Sequence, residues 1–372
     1  TDQTVGERRT ERVSQQALRI IAAIGAFAVA TIVGVLLFGT FDAPPDPITE
    51  INLVGAESLA LILAIALGVA FVVYAALEYA QTGRMESISR QFDTRTIVLM
   101  PLAIAFNIVL GQAVGNALRV PIYLDSIGTI LVGALAGPIP GALTGFLANI
   151  LWTYVVPQPF HSDIAGAFAI VAAVIGLLAG AFGRFGWLRP RPHSSGQRLF
   201  VGGAAAVGLI LAMSVLAYLG YRQILGDTSV APVTDEAIFL FLGWLALLLV
   251  AVTVVGLLAL LFMRRDLTAA YVVVAGVLTG IVAAILSAPI SANLFSGVTG
   301  SGTDFLVLAF RQAGADISAA TLGQGLISDP IDKVTTFFVV YLILTAMARR
   351  TKARFPQGER LLERRSTEGA AT

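Results

Sequence analysis

The sequence predicts an all-α polytopic membrane protein with about ten transmembrane helices, and three observations carry that prediction. Hydrophobic residues make up 57% of the chain and charged residues 13%, far from the balance of a soluble domain. Apolar stretches of about 20 residues, the length that spans a bilayer as a helix, recur along it. Basic residues gather in alternate loops, as cytoplasmic loops of membrane proteins do.

Composition also removes several function classes. The net charge of +1 identifies no acidic partner, and no basic run with interleaved aromatics suggests nucleic acid. Zero cysteines exclude thiolate zinc sites and iron-sulfur clusters, and the two histidines, His161 and His193, fall in predicted loops far from any metal-ligand spacing. No metal or cofactor is expected. The chain has no GxxxxGK[ST] loop, so it cannot hydrolyse ATP by that route, and no constellation of base and nucleophile marks an enzyme.

The first apolar stretch, Leu18 to Phe38, follows Arg8, Arg9 and Arg12 and contains Arg19. It imitates a signal peptide, but its length of about 20 residues and the lack of a small-x-small cleavage site make it a retained helix. Further spans are predicted near 58–80, 97–118, 164–183, 200–221, 237–263, 269–290 and 331–348. Between Ile122 and Val156 a longer apolar stretch is broken by Gly137-Pro138-Ile139-Pro140-Gly141, which predicts two short helices folded as a hairpin. Thr303 to Ala320 is too short and too polar to span, so it is expected to be an outer re-entrant or interfacial helix. The segment from Lys352 to Thr372 has little to bury and is expected to be a partly disordered tail. The basic loops then put both termini in the cytoplasm of a multi-pass protein of the cell membrane.

Polar residues concentrate in two clusters, Tyr123 to Thr129 and Ser287 to Lys333. Asp125 and Ser126 stand where a helix is expected to begin. Asp125 is therefore either a favourable charge at a helix start or a holder of a cationic or hydrogen-bonding solute. Asn149, inside a short helix, needs a partner, whereas Trp152 and Tyr154 fit an interfacial aromatic belt. Pro289 breaks the backbone ladder of its helix, and Ser291 and Asn293 are suited to repair it. Ser296 to Asp304 is a Gly/Ser/Thr loop suited to gating. The run Ser328-Asp329-Pro330-Ile331-Asp332-Lys333 reads as a helix start, either a solvated cap or a group that needs partners or a ligand. Gly111 with Gly115, and Ala113 with Ala117, have the spacing that lets membrane helices approach closely.

The segments Tyr123-Leu124-Asp125-Ser126-Ile127-Gly128-Thr129, Gly137-Pro138-Ile139-Pro140-Gly141-Ala142 and Ser287-Ala288-Pro289-Ile290-Ser291, with the loop Gly297 to Asp304 and the run Gly323 to Lys333, resemble the substrate-binding S components of energy-coupling factor (ECF) transporters. The resemblance covers about half of the chain. It implies a six-helix core that captures a vitamin or related micronutrient and is driven by a transmembrane coupling subunit and two cytoplasmic ATPases. It further implies that Ala113 and Ala117 match the family's docking pattern for the coupling subunit, with Gly111 and Gly115 beside them.

On that basis residues 1–96 hold a cytoplasmic segment and an extra transmembrane hairpin, 97–187 the first four core helices, and 188–268 an inserted hairpin. Residues 269–349 supply the last two core helices with the outer re-entrant segment, and 350–372 the cytoplasmic tail. The expected pocket or gate residues are Tyr123, Asp125, Ser126, Thr129, Asn149, Ser291, Asn293, Thr299, Thr303, Asp304 and Gln324. Expected partners are the coupling and ATPase subunits, a small-molecule solute and membrane lipid. Two other readings stay open: a membrane scaffold or sensor built on the same module, and a secondary transporter coupling protons at Asp304, Asp329 or Asp332.

Overall fold

The structure is a computed structural model that describes residues 2–42, 52–111, 123–158, 160–225, 237–300 and 303–363. All regular structure among them is helical. Among the described residues five helices are long and apolar enough to cross a membrane, Ala17–Phe38, Leu53–Thr82, Thr94–Gly111, Ala165–Arg184 and Thr268–Phe295, which fits a multi-pass membrane protein. The chain divides into two compact units, Thr1–Gln91 and Phe92–Thr372.

The first unit contains α1 (Asp2–Phe38), α2 (Leu53–Thr82) and the single turn α3 (Glu86–Ser89). Asn52 starts α2 by accepting the N–H of Gly55 at 2.7 Å while its amide donates to the Phe41 carbonyl at 2.8 Å, so one side chain caps the helix and fixes the approach to it. Gly83, with φ of 67°, ends α2 in the left-handed conformation that glycine adopts without strain. The two long helices are pinned by charge: Arg19 donates to Gln81 at 2.6 Å and lies 3.5 Å from the Glu78 carboxylate, with all but a few per cent of both charged side chains covered. Arg19 thus has a structural partner, as an ionisable group in a membrane-length helix requires.

The second unit contains α4 (Thr94–Gly111), α5 (Ile127–Ala136), α6 (Pro138–Tyr154), a 3-10 turn (Ala165–Phe168) leading into α7 (Ala169–Arg184), α8 (Gly196–Leu225) and α9 (Ala237–Phe262). It continues with α10 (Thr268–Phe295), α11 (Asp304–Gln312), α12 (Ile317–Ala346), α13 (Arg349–Ala353) and a last 3-10 turn (Gly358–Leu361). The hairpin expected between Ile122 and Val156 forms as α5 and α6, turned by Gly137 alone at φ of 130°. Pro138 and Pro140 fall in the first turn of α6, where a missing N–H costs nothing.

Small residues set how closely these helices approach. A Cβ on Gly176 of α7 would overlap the Gly141 backbone of α6, and one on Gly280 of α10 would overlap Pro330 of α12. Backbone meets backbone at both crossings, the contact that replaces the hydrophobic effect as glue in lipid. The main core runs along α5, α7, α10 and α12 through Ile130, Leu135, Val273 and Phe337, and the described parts of α8 and α9 join it through Ala206, Ile210, Leu257 and Leu261.

Three expectations are corrected. Helix α12 begins at Ile317 rather than near 331, because Asp316 caps it by accepting the Ala319 N–H at 2.8 Å and Pro330 is absorbed in its interior. Ser328 to Lys333 is therefore mid-helix and buried, not a solvated start. The segment Thr303 to Ala320 is not one helix; it is α11 and the first turn of α12, parted by Gly314 at φ of 93°. Of the expected tail, 364–372 lie outside the described residues and 352–363 are packed against the unit: Leu361 is fully buried, the Gln357 N–H donates to the Leu135 carbonyl at 2.8 Å, and Arg360 donates to the Arg184 carbonyl at 2.9 Å. This tail satisfies a carbonyl that the C-terminus of α5 leaves without an intrahelical partner.

Arginines crowd that end of the second unit. Arg95 donates to the Arg354 carbonyl, and Arg191 donates its side chain to the carbonyls of Gly186, Trp187 and Arg189 while lying 4.1 Å over the Tyr271 ring. Buried Asp266 joins three segments there, accepting the N–H groups of Arg191 and Thr268 at 3.0 and 2.9 Å and the Tyr341 hydroxyl at 3.0 Å. The opposite end carries the cavity.

Candidate functional site

The cavity grows from a buried charge cluster that α12 supplies. Asp332 is fully buried and its Oδ2 accepts from Lys333 Nζ at 2.6 Å, while its Oδ1 accepts the backbone N–H groups of Tyr123 and Leu124, both at 2.9 Å. Leu124 sits at φ of 52°, a conformation that costs a bulky residue energy and that turns its N–H toward the carboxylate. Lys333 also donates to Ser126 Oγ at 2.9 Å and lies 3.6 Å from Asp125. The segment before α5 is thus held to α12 by charge-assisted hydrogen bonds, the strong class of such bonds. Asp125 and Ser126 do not cap α5, which has no side-chain cap; both face Lys333 instead.

Around this cluster lies a cavity of about 180 Å³. One wall is polar, from Tyr123, Asp125, Ser126, Gln324, Asp329 and Lys333. The other is mainly apolar, from Trp152 of α6, Ile164 and Phe168 before α7, and Val171 and Ile175 on it. Asn149, Ser162, Ser287, Ser291 and Thr299 punctuate the lining, and Gly111 closes it beneath the Trp152 ring. An apolar body with a few convergent polar groups is the usual make-up of a small-molecule site.

Most polar groups here are engaged with one another. Gln324 donates to Ser328 at 2.7 Å, Ser328 donates to Asp329 at 3.2 Å, and the Tyr123 hydroxyl meets Thr303 Oγ1 at 2.7 Å. Asn149 and Ser291 differ: each is 7% exposed, each lines the cavity, and neither side chain has a hydrogen-bond partner among the described residues. Asp329, 6% exposed, has Ser328 as its hydrogen-bond donor and makes no ion pair among those residues. Polar groups buried this way cost free energy until something pairs with them.

The rim next to Trp152 is fastened by the loop after α6. The Trp152 indole donates to the Phe160 carbonyl at 2.7 Å, and the Thr153 hydroxyl donates to the Ser162 carbonyl at 2.7 Å while accepting the Gly166 N–H at 2.8 Å. His161 places Nδ1 3.0 Å from the Val156 carbonyl and Nε2 2.8 Å from Asp163. Both contacts ask the ring for an N–H, so the Val156 carbonyl first, and the Asp163 carboxylate after it, raise its pKa above the ordinary histidine value.

Of the residues singled out from sequence, Tyr123, Asp125, Ser126, Asn149, Ser291, Thr299 and Gln324 line this one cavity. Thr129 does not; it receives the Asn107 amide of α4 at 2.8 Å. Asn293 is exposed and caps the Pro289 carbonyl at 2.7 Å. Thr303 and Asp304 stand behind the lining: Thr303 holds Tyr123, and Asp304 accepts the Thr299 N–H and hydroxyl at 3.1 and 3.0 Å, folding the loop after α10 on itself. Gly111 is buried against Trp152, and Ala113, Gly115 and Ala117 lie outside the described residues. Sequence reasoning did not assign Trp152, Phe168 or Lys333 to a pocket, and it treated Asp329 as a proton site; Trp152 is buried rather than belt-like, whereas Tyr154 is exposed.

No group of three or more His, Asp or Glu side chains suited to a metal ion occurs among the described residues. The chain matches no protein-family model, and it matches no curated protein or solved structure.

Proposed function

We propose that this chain is the membrane-embedded solute-binding subunit of an ECF-type importer, taking up a vitamin-like micronutrient at its outer face and energised by separate coupling and ATPase subunits. The observation that carries the reading is the cavity of about 180 Å³ into which the unpartnered side chains of Asn149 and Ser291 open beside an apolar wall of Trp152 and Phe168. Such a lining suits a compact solute with hydrogen-bonding edges. In this reading ten helices span the membrane (α1, α2, α4 to α10 and α12), both termini are cytoplasmic, and the cavity opens outward. The gathering of Arg95, Arg184, Arg191, Arg265 and Arg360 at the end of the unit away from the cavity supports that orientation.

A mild-detergent pull-down of the tagged protein, with mass spectrometry of co-purifying proteins and extracted small molecules, tests the proposal. A coupling subunit with ATPases, or a bound vitamin-like compound, supports the importer. Stable partners of another kind with nothing bound in the cavity support a scaffold.

A further inference from the structure

Three carboxylates, Asp125, Asp329 and Asp332, surround a single cation, Lys333, at the polar wall. Asp332 takes Lys333 at 2.6 Å and consumes its second oxygen on two backbone N–H groups. Asp125 shares Lys333 at the longer distance of 3.6 Å and stays 31% exposed. Asp329 opens on the cavity with one hydroxyl as its donor and no ion pair among the described residues. A buried carboxylate needs a counter-charge or donors, and this one has a single hydroxyl donor and shares the one cation with two carboxylates that lie closer to it.

The cavity's other unsatisfied groups point the same way. Asn149 and Ser291, each 7% exposed, open on the space that Asp329 faces. On the same face of α6 as Asn149, one turn on, the indole of Trp152 is fixed by its bond to Phe160 and lines the cavity, and an indole is the aromatic ring that attracts cations best.

We infer that the solute is a small organic cation: a protonated amine or cationic heterocycle whose charge pairs with Asp329 and Asp125 while its apolar body lies against Trp152 and Phe168. The inference rests on the solute-capture reading above and narrows it to a substrate class. Asn149 and Ser291 then bind the polar edge of that body.

The test uses the purified full chain in lipid nanodiscs with three probes of one size and shape: benzylamine, benzamide and benzoate. Calorimetry is expected to show benzylamine binding about tenfold or more tighter than benzamide, the factor carried by a hydrogen bond to a charged group, and benzoate weakest. Asp329→Asn is expected to erase the preference for the amine without moving the melting temperature downward. If that variant does not fold, Asp125→Asn at the more exposed carboxylate serves, and it is expected to shrink the preference.

Benzamide or benzoate binding as tightly as benzylamine overturns the charge assignment and leaves solute capture standing. Should none of the probes bind, the charge of whatever molecule is extracted from the purified protein decides: a cation supports the inference, and a neutral or anionic compound overturns it. No probe bound and an empty extract overturns both the inference and the solute-capture reading.

Discussion

Asp332 Oδ1 accepts the Leu124 N–H at 2.9 Å, so a carboxylate in the middle of α12 holds the backbone of a residue 208 positions earlier in the chain. Leu124 pays for that bond with φ of 52° and recovers it by burying its side chain to 6% exposure. The magnitudes decide what truncation does. Removing the buried leucine costs about 2–5 kcal/mol, and the left-handed backbone costs a non-glycine residue about 1–2 kcal/mol. Leu124→Ala and Leu124→Gly are both expected to be destabilised, but the glycine variant is expected to melt higher than the alanine one. An alanine variant melting higher would show that the backbone strain is negligible.

Lys333 neutralises Asp332 where both side chains are almost wholly covered by protein. Lys333→Met leaves that carboxylate buried without its ion pair, for which about 3–5 kcal/mol of destabilisation is expected. The double variant Asp332→Asn with Lys333→Met restores charge balance, and a melting temperature well above that of Lys333→Met alone is the predicted result. Equal melting temperatures for the two would mean that the ion pair contributes nothing beyond its individual contacts.

Glycine substitutions are expected to differ in sign by position. Gly280 faces the Pro330 backbone with no room for a methyl group, so Gly280→Ala forces α10 and α12 apart at a cost of about 1–3 kcal/mol or more. At Gly68 in α2 nothing lies within 4 Å of an added Cβ, and alanine there is expected to stabilise by up to about 1 kcal/mol through helix propensity. Thermal unfolding of both variants in one detergent provides the comparison.

The His161 ring titrates at the rim. Its folded pKa lies above the ordinary value of 6.5, so its stabilising contribution is complete below that value and is lost as pH rises through the raised pKa. The wild type is expected to lose rim stability as pH rises from 6.5 through the raised pKa, and His161→Gln is expected to flatten that dependence. Protease cleavage within the loop after α6, measured against pH, reads it directly, and parallel profiles for the two proteins would remove His161 from the rim's fastening.

Much of this architecture was legible in the residues. Composition and apolar run length announce a helical membrane protein, and Gly137-Pro138-Ile139-Pro140-Gly141 announces the α5–α6 hairpin because proline and glycine act locally. The full length of α12 was not legible. Asp329-Pro330 has the local signature of a helix start, and the proline instead sits inside a continuous helix at its close crossing with Gly280 of α10, a tertiary contact that local sequence does not show. Close crossings at Gly141 with Gly145, Gly176 with Gly180 and Gly276 with Gly280 carry the same small-residue spacing that drew notice at Gly111 with Gly115, and an even scan for it would have found them. Tyr123, Asp125 and Gln324 were recognisable as polar residues out of place, whereas Trp152 and Phe168 were not, since an aromatic on a pocket wall and one at a lipid interface read alike. The packed tail was hidden because three scattered buried side chains, Lys352, Gln357 and Leu361, and a few backbone bonds hold it.

The bond between Asp332 and Tyr123-Leu124 also sets an order of events at the ribosome. Tyr123 to Ser126 leave the ribosome and reach the bilayer while α12 is still untranslated, and the carboxylate and amine that hold them arrive only with the last long helix. Every nascent chain therefore passes through a stage in which Tyr123 to Ser126 lack these bonds to α12. The polar wall of the cavity is thus the last part to be secured, and a chain that stops short of Lys333 lacks the groups that hold Tyr123 to Ser126.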